Sequence, residues 1–80
     1  MSKPKRLSGT EAISILEHFS FKLVHQRGSH IKMTRVINGE KQTLTITAHK
    51  ELKTGAIVGI FRQASRYISE SELREFFYSK

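Results

Sequence analysis

Apolar positions recur with two different periods along the chain, and the change between them outlines the fold. From Ser8 the period is helical, with Ala12, Ile13, Leu16 and Phe19 on one face. Ser8 followed three residues later by Glu11 is a capping box, and Leu7 before it can staple onto the same face. A helix is therefore predicted from Ser8 to Phe19 or Ser20. The period then drops to two. "FKLVHQR", "SHIKMTRVI" and "KQTLTITA" read as three strands, the last rich in β-branched residues. Gly28 breaks the first from the second, and Asn38-Gly39 is a strong hairpin turn. A two-residue turn there sets Ile31 opposite Ile46 and Met33 opposite Leu44. It also sets His30 opposite Thr47, Lys32 opposite Thr45 and Thr34 opposite Thr43. One face of this hairpin is apolar and the other polar, which supports the register.

The first hairpin is less determined. A tight turn at Arg27-Gly28 would pair Val24 with Ile31, whereas one extra residue would pair Leu23 with Met33. We favour the second, with a bulge at Gly28, because it buries two large side chains rather than one.

After the third strand, "HKELKTG" is a polar connection. Residues 55–66 return to a helical period, with Ala56, Ile57, Ile60, Phe61 and Ala64 on one face and Arg62 and Arg66 off it. Thr54 is the expected cap, Gly55 marks the start of this helix, and Gly59 suggests close helix–sheet packing. Ser69 with Glu72 forms a second capping box and opens a short last helix carrying Leu73, Phe76 and Phe77. The reading is an α+β domain: helix, three-stranded antiparallel sheet, helix, short C-terminal helix. The helices cover the apolar face of the sheet, because no other apolar surface is available to them. Residues 1–7, "MSKPKRL", read as a flexible basic arm, and residues 8–80 as a single domain.

Composition narrows what such a domain does. Eighty residues bury a modest core and leave little room for a large internal pocket. There is no cysteine, so disulfides and thiolate metal sites are excluded, and cytoplasmic residence is the expectation. No apolar run is long enough for a membrane span. Fourteen Lys and Arg stand against seven Glu and no Asp, a formal net charge of +7 with a pI near 10.2. The excess is uneven: residues 1–66 hold twelve bases and four acids, while residues 67–80 hold two bases and three acids. A basic body favours a polyanionic partner, with a plain solubility charge and an acidic partner protein as the other readings of the charge.

His30 follows Gly28 and Ser29 directly, with Arg27, Lys32 and Arg35 around it in sequence. In the predicted register it lies on the open polar face with Lys32, Thr34, Thr43, Thr45 and Thr47. His49 follows Thr47 at the strand period and is the diagonal neighbour of His30, at roughly 7–8 Å in an antiparallel pair. Imidazoles among cations suit phosphodiester cleavage, which needs a base, an acid and positive charge for the developing oxyanion. RNA brings its own nucleophile in the 2′-OH, so neither a cofactor nor a metal is needed. His18 falls near the apolar side of the first helix and reads as packing, and His25 has no fixed face while the first hairpin is unsettled. The histidine spacings do not suggest a metal site, and Ser29 has no Asp partner for nucleophile chemistry, so it reads as a turn or orienting residue.

These residues resemble the HicA (YcfA-like) family of small mRNA interferase toxins from toxin–antitoxin pairs, from about Ser8 to Phe77. The similarity is carried by the helix followed by an aromatic strand start at Phe21, and by "QRGSH" leading into the second strand. "HKELKTG" and the "AIVGIFRQA" helix carry it further. It implies a fold similar to double-stranded RNA-binding domains, and ribonuclease activity centred on the histidine of the Gly-Ser-His triplet, here His30. It also implies a HicB-like antitoxin that covers the site. The chain departs from the family pattern after the third strand, where a Pro before the His and a Gly-Asn-like pair after it are usual. Here Ala48 precedes His49 and Lys50 follows. The resulting expectation is a monomeric, metal-independent endoribonuclease with His30 as general acid or base and His49 as a second candidate. Lys32 would stabilise phosphate charge, and Arg27, Lys50, Lys53, Arg62 and Arg66 would hold the RNA. The rival expectations are a non-catalytic module that reads RNA shape and a module that docks an acidic protein.

Overall fold

A computed structural model describes residues 3–79. In chain order the elements are β1 (Lys3–Pro4), α1 (Gly9–His18), β2 (Lys22–Arg27), β3 (His30–Ile37), β4 (Glu40–Thr47), α2 (Thr54–Ala64), α3 (Glu70–Phe77) and β5 (Tyr78–Ser79). The main sheet has the antiparallel order β2-β3-β4, and β1 pairs with β5 in a separate two-stranded ribbon. The architecture is α+β and like that of a double-stranded RNA-binding domain, as expected.

Each end of α1 is closed by a local device. At its start the Ser8 hydroxyl accepts from the Glu11 N–H at 3.0 Å and the Glu11 carboxylate accepts from the Ser8 N–H at 2.9 Å. These bonds satisfy two donors that the first helical turn leaves free. At its end the Phe21 N–H donates to the Leu16 carbonyl and the Ser20 N–H to the Glu17 carbonyl. Together these bonds form a Schellman motif, with Ser20 at φ 75° where glycine is usual. The motif turns the chain so that Phe21 enters the core, where it and Leu16 are both fully buried.

The β3–β4 hairpin has the register read from the sequence, from His30 opposite Thr47 to Ile37 opposite Glu40. Asn38 at φ 52° and Gly39 at φ 79° supply the two positive angles of a type I′ turn. The β2–β3 hairpin departs from expectation in two respects. Leu23 does pair with Met33, but the bulge is at Val24 rather than Gly28. Gly28 and Ser29 instead form a tight two-residue turn, with Gly28 at φ 60° in the first central position. Leu23 does not gain the burial expected of it: it stays 40% exposed at the sheet edge, and the bulged Val24 is 54% exposed.

The core lies between one sheet face and the helices. Leu16, Phe21, Met33, Leu44, Leu73 and Phe77 are its largest fully buried side chains. Helix α2 contributes Ile57, Ile60, Phe61 and Ala64, as its spacing predicts. It begins one residue earlier than expected, because Lys53 and not Thr54 occupies the N-cap, with no side-chain capping bond. Gln63 on α2 reaches the outer edge of β4, where its amide both accepts from the Thr45 N–H and donates to the Thr45 carbonyl. That side chain stands in for a neighbouring strand and blunts an edge open to pairing.

Residues 3–7 do not form the free arm expected from sequence. Lys3 pairs with Ser79 and Pro4 with Tyr78, the Lys5 N–H donates to the Phe77 carbonyl at 2.8 Å, and Leu7 is buried. Pairing between the two ends of a chain leaves no local pattern to read. Met1 and Ser2, the rest of that segment, lie outside the described residues.

The glycine that packs closely is also not the expected one. A Cβ on Gly59 would meet nothing, whereas one on Gly9 would come 2.5 Å from the Ala48 Cα. The Gly9 N–H donates to the His49 carbonyl at 2.8 Å, so the start of α1 is pressed against the end of β4. Gly9→Ala is expected to destabilise the fold by about 1–3 kcal/mol, because backbone and not a flexible side chain must give way. Urea unfolding would measure the loss. Ser20→Gly is expected to act in the other direction, relieving about 1 kcal/mol of left-handed strain. In a domain of this size that corresponds to a melting temperature roughly 4–8 °C higher.

Candidate functional site

The face of the sheet turned away from the helices is built in rows, each running across the three strands. Arg27, His30 and Thr47 form the first, His25, Lys32 and Thr45 the second, and Lys22, Thr34 and Thr43 the third. The tight turn at Gly28-Ser29 starts the pattern. It makes Arg27 and His30 the closing pair of the hairpin, so both must share a face. Gln26 braces this turn by donating from Nε2 to the Gly28 carbonyl at 3.1 Å, and the Ser29 carbonyl accepts from the Ala48 N–H at 2.7 Å. Ser29 thus holds the turn against β4.

Lys22, His25, Arg27, His30 and Lys32 are all exposed. Among the described residues the single ion pair is Arg74 with Glu70, on α3. Five of the seven glutamates lie on α1 or α3, and the other two are at the start of β4 and in the connection before α2. No row carries a carboxylate, so the cations of this face repel one another with no internal neutralisation.

The sequence-predicted residues divide into two groups. His30, Lys32, Arg27, Gly28 and Ser29 come together at one end of the sheet. His49 lies just past β4, exposed, with its carbonyl held by Gly9. Lys50 and Lys53 are exposed in the connection that follows, and Arg62 and Arg66 are exposed in or just beyond α2. These four belong to the helical side and are not part of the open rows. Arg35, which neighbours His30 in sequence, faces the other way. Its guanidinium stacks 4.8 Å from the Phe21 ring centroid and donates to the Gln42 side chain and to the Phe19 and Tyr67 carbonyls. His18 packs against Phe19 and Phe76, with ring centroids 5.2 and 4.8 Å away.

His25 is the residue that sequence reasoning left without a place. Counting back from a turn centred on Gly28-Ser29 would have set it opposite Lys32. Among the described residues there is no group of three or more His, Cys, Asp or Glu that could hold a metal ion. The arrangement offers imidazoles for proton transfer and fixed cations for phosphate, on a surface open to a polymer.

A family model described as "HicA toxin of bacterial toxin-antitoxin" matches residues 9–65, which takes in α1, the whole sheet and α2. No curated protein and no solved structure matches the chain. The unneutralised face has a measurable consequence for stability. Lys32→Gln removes the central cation and is expected to raise stability by about 0.2–1 kcal/mol. The gain should shrink in 1 M salt, where screening already relieves the repulsion. Thermal unfolding at low and high salt would show both effects.

Proposed function

The chain belongs to the HicA toxin family, and from that premise we propose that it is a metal-independent endoribonuclease acting on mRNA in the cytoplasm. The observation that carries this reading is the exposed His30, set between Arg27 and Thr47 on a sheet face with cations and no carboxylate. His30 serves as general base or acid, taking the proton of the attacking 2′-OH or supplying one to the leaving oxygen. Lys32 and Arg27 stabilise the charge that gathers on the phosphoryl oxygens. His49 is the second imidazole that sequence spacing offers. Lys50, Lys53, Arg62 and Arg66 hold the RNA backbone where it continues past the β4 edge towards the helical side. Ser29 and Gly28 act indirectly, by fixing the turn from which His30 projects.

A HicA toxin domain implies a cognate antitoxin. We take that partner to be HicB-like and to cover the open face with acidic groups, since a surface of like charges is relieved by a complementary one. A non-catalytic RNA-binding role is the alternative favoured by the cations outside the rows. It would give salt-sensitive binding without cleavage at any pH.

His30→Ala is expected to abolish growth inhibition and lower RNA cleavage by about 10²–10⁴-fold. Its melting temperature should stay at the wild-type value, because the side chain is exposed. Induced expression of both forms, with transcript mapping, measures the first effect, and purified protein with RNA in a chelator measures the second. Cleavage by His30→Ala at the wild-type rate would refute the mechanism, and loss of wild-type cleavage in the chelator would refute metal independence.

A further inference from the structure

We infer that His25, and not His49, is the second imidazole of the site. The inference rests on the nuclease reading above and names the partner of His30 within it. Its basis is a square of four side chains spanning β2 and β3. His25 stands opposite Lys32, and Arg27 stands opposite His30. The two imidazoles therefore occupy one diagonal of the square and the two fixed cations the other. All four side chains are exposed and share the open face.

Spacing fits the chemistry. Diagonal neighbours across an antiparallel pair lie roughly 7–8 Å apart, and directly opposite ones about 4.5–5.5 Å. A phosphodiester over the centre of the square has an imidazole on either side and a cation towards each of its two non-bridging oxygens. One imidazole removes the 2′-OH proton as that oxygen bonds to phosphorus. The bond from phosphorus to O5′ breaks, and the other imidazolium gives its proton to the departing oxygen. The products are a 2′,3′-cyclic phosphate and a 5′-hydroxyl, with one proton gained and one lost by the protein.

His49 lacks this setting. It follows the end of β4, beyond the Ala48–Ser29 bond and outside the paired positions of the β3–β4 ladder, with its carbonyl bonded to the Gly9 N–H. His25 is held in the ladder with paired residues on both sides, Leu23 before it and Gln26 after it. The bulge at Val24 separates this fixed position from the strand start, which obeys the core instead.

The test uses two substrates, an ordinary RNA dinucleotide and a ribonucleoside 3′-(4-nitrophenyl phosphate), whose leaving group departs without a proton. His25→Ala and His30→Ala are each expected to lose roughly hundredfold or more on the dinucleotide. One of the two variants, the one lacking the acid, should keep near-wild-type cleavage of the nitrophenyl ester. His49→Ala should lose less than His25→Ala on both. His25→Lys keeps a cation at that position and is expected not to restore activity. Circular dichroism checks that each variant is folded. Dinucleotide cleavage by His25→Ala within about threefold of wild type overturns the inference and leaves the nuclease reading standing. Restoration by His25→Lys does the same, since His25 would then supply charge alone. A wild type that cleaves neither substrate overturns both.

Discussion

A three-stranded sheet with helices on one face only allows each strand a single parity, and that constraint governs the remainder of this molecule. On β3, Ile31 and Met33 go to the core, which sends His30, Lys32 and Thr34 to the open side. β2 has to satisfy two demands that disagree. The tight turn at Gly28-Ser29 sets Arg27 and His25 on the open face, and unbroken alternation would then carry Leu23 and Phe21 there as well. Burying Phe21 alone is worth about 1.5–3 kcal/mol. The bulge at Val24 shifts the frame by one residue and returns Phe21 to the core, where it is 1% exposed. What is lost is one regular ladder position on an edge strand, where water can replace the missing partner at about 0.5–1.5 kcal/mol or less. The bulge thus lets one strand serve the core at its start and the site at its end.

Arg35 shows the same parity working inward. It falls on the core side of β3, near the sheet end remote from His30, where no carboxylate is bonded to it. Its charge is met by two backbone carbonyls, the Gln42 amide oxygen and the face of Phe21. Those carbonyls belong to Phe19, at the end of α1, and Tyr67, between α2 and α3, so one guanidinium ties the sheet to both helical connections. Lysine could not reproduce this, since a single ammonium cannot present a planar fork to three separate acceptors. Of the three cations near His30 in sequence, two serve the open face and one holds together the platform beneath it.

How much of this the sequence discloses depends on whether the determining signal is local. The β3–β4 register could be read throughout, because Asn38-Gly39 specifies its turn and both faces of the pattern agree with it. The helix ends could be read where capping residues sit within three positions of one another, as at Ser8 and Glu11. β2 could not be read in full: Phe21 and Leu23 call for one parity, and His25 and Arg27 require the other once the turn is placed. Composition alone cannot say where the extra residue goes. The tie between Lys3–Pro4 and Tyr78–Ser79 and the pressure of Gly9 on Ala48 were hidden for another reason. Each joins segments far apart in sequence, and neither leaves a periodic trace. His30 was legible as a candidate because it lies in the well-determined hairpin, whereas the face of His25 hung on the hairpin that was not.

The openness of the face bears on which chemistry it can support. An exposed set of side chains cannot strengthen its electrostatics by excluding water, as an enclosed active site does. Proton transfer and two nearby cations are what remain, and these act best when the nucleophile need not be captured from solution. In RNA the 2′-OH is already joined to the sugar beside the phosphate, and well-oriented intramolecular attack corresponds to effective molarities of about 10⁵–10⁸ M. DNA lacks that hydroxyl, so a water molecule would have to be bound and activated on a surface with no enclosure to hold it. On the proposed nuclease reading, an exposed square of imidazoles and cations would therefore favour RNA over DNA by the chemistry it leaves undone. The same openness leaves the cations unneutralised until a polyanion, or an acidic partner, lies across them.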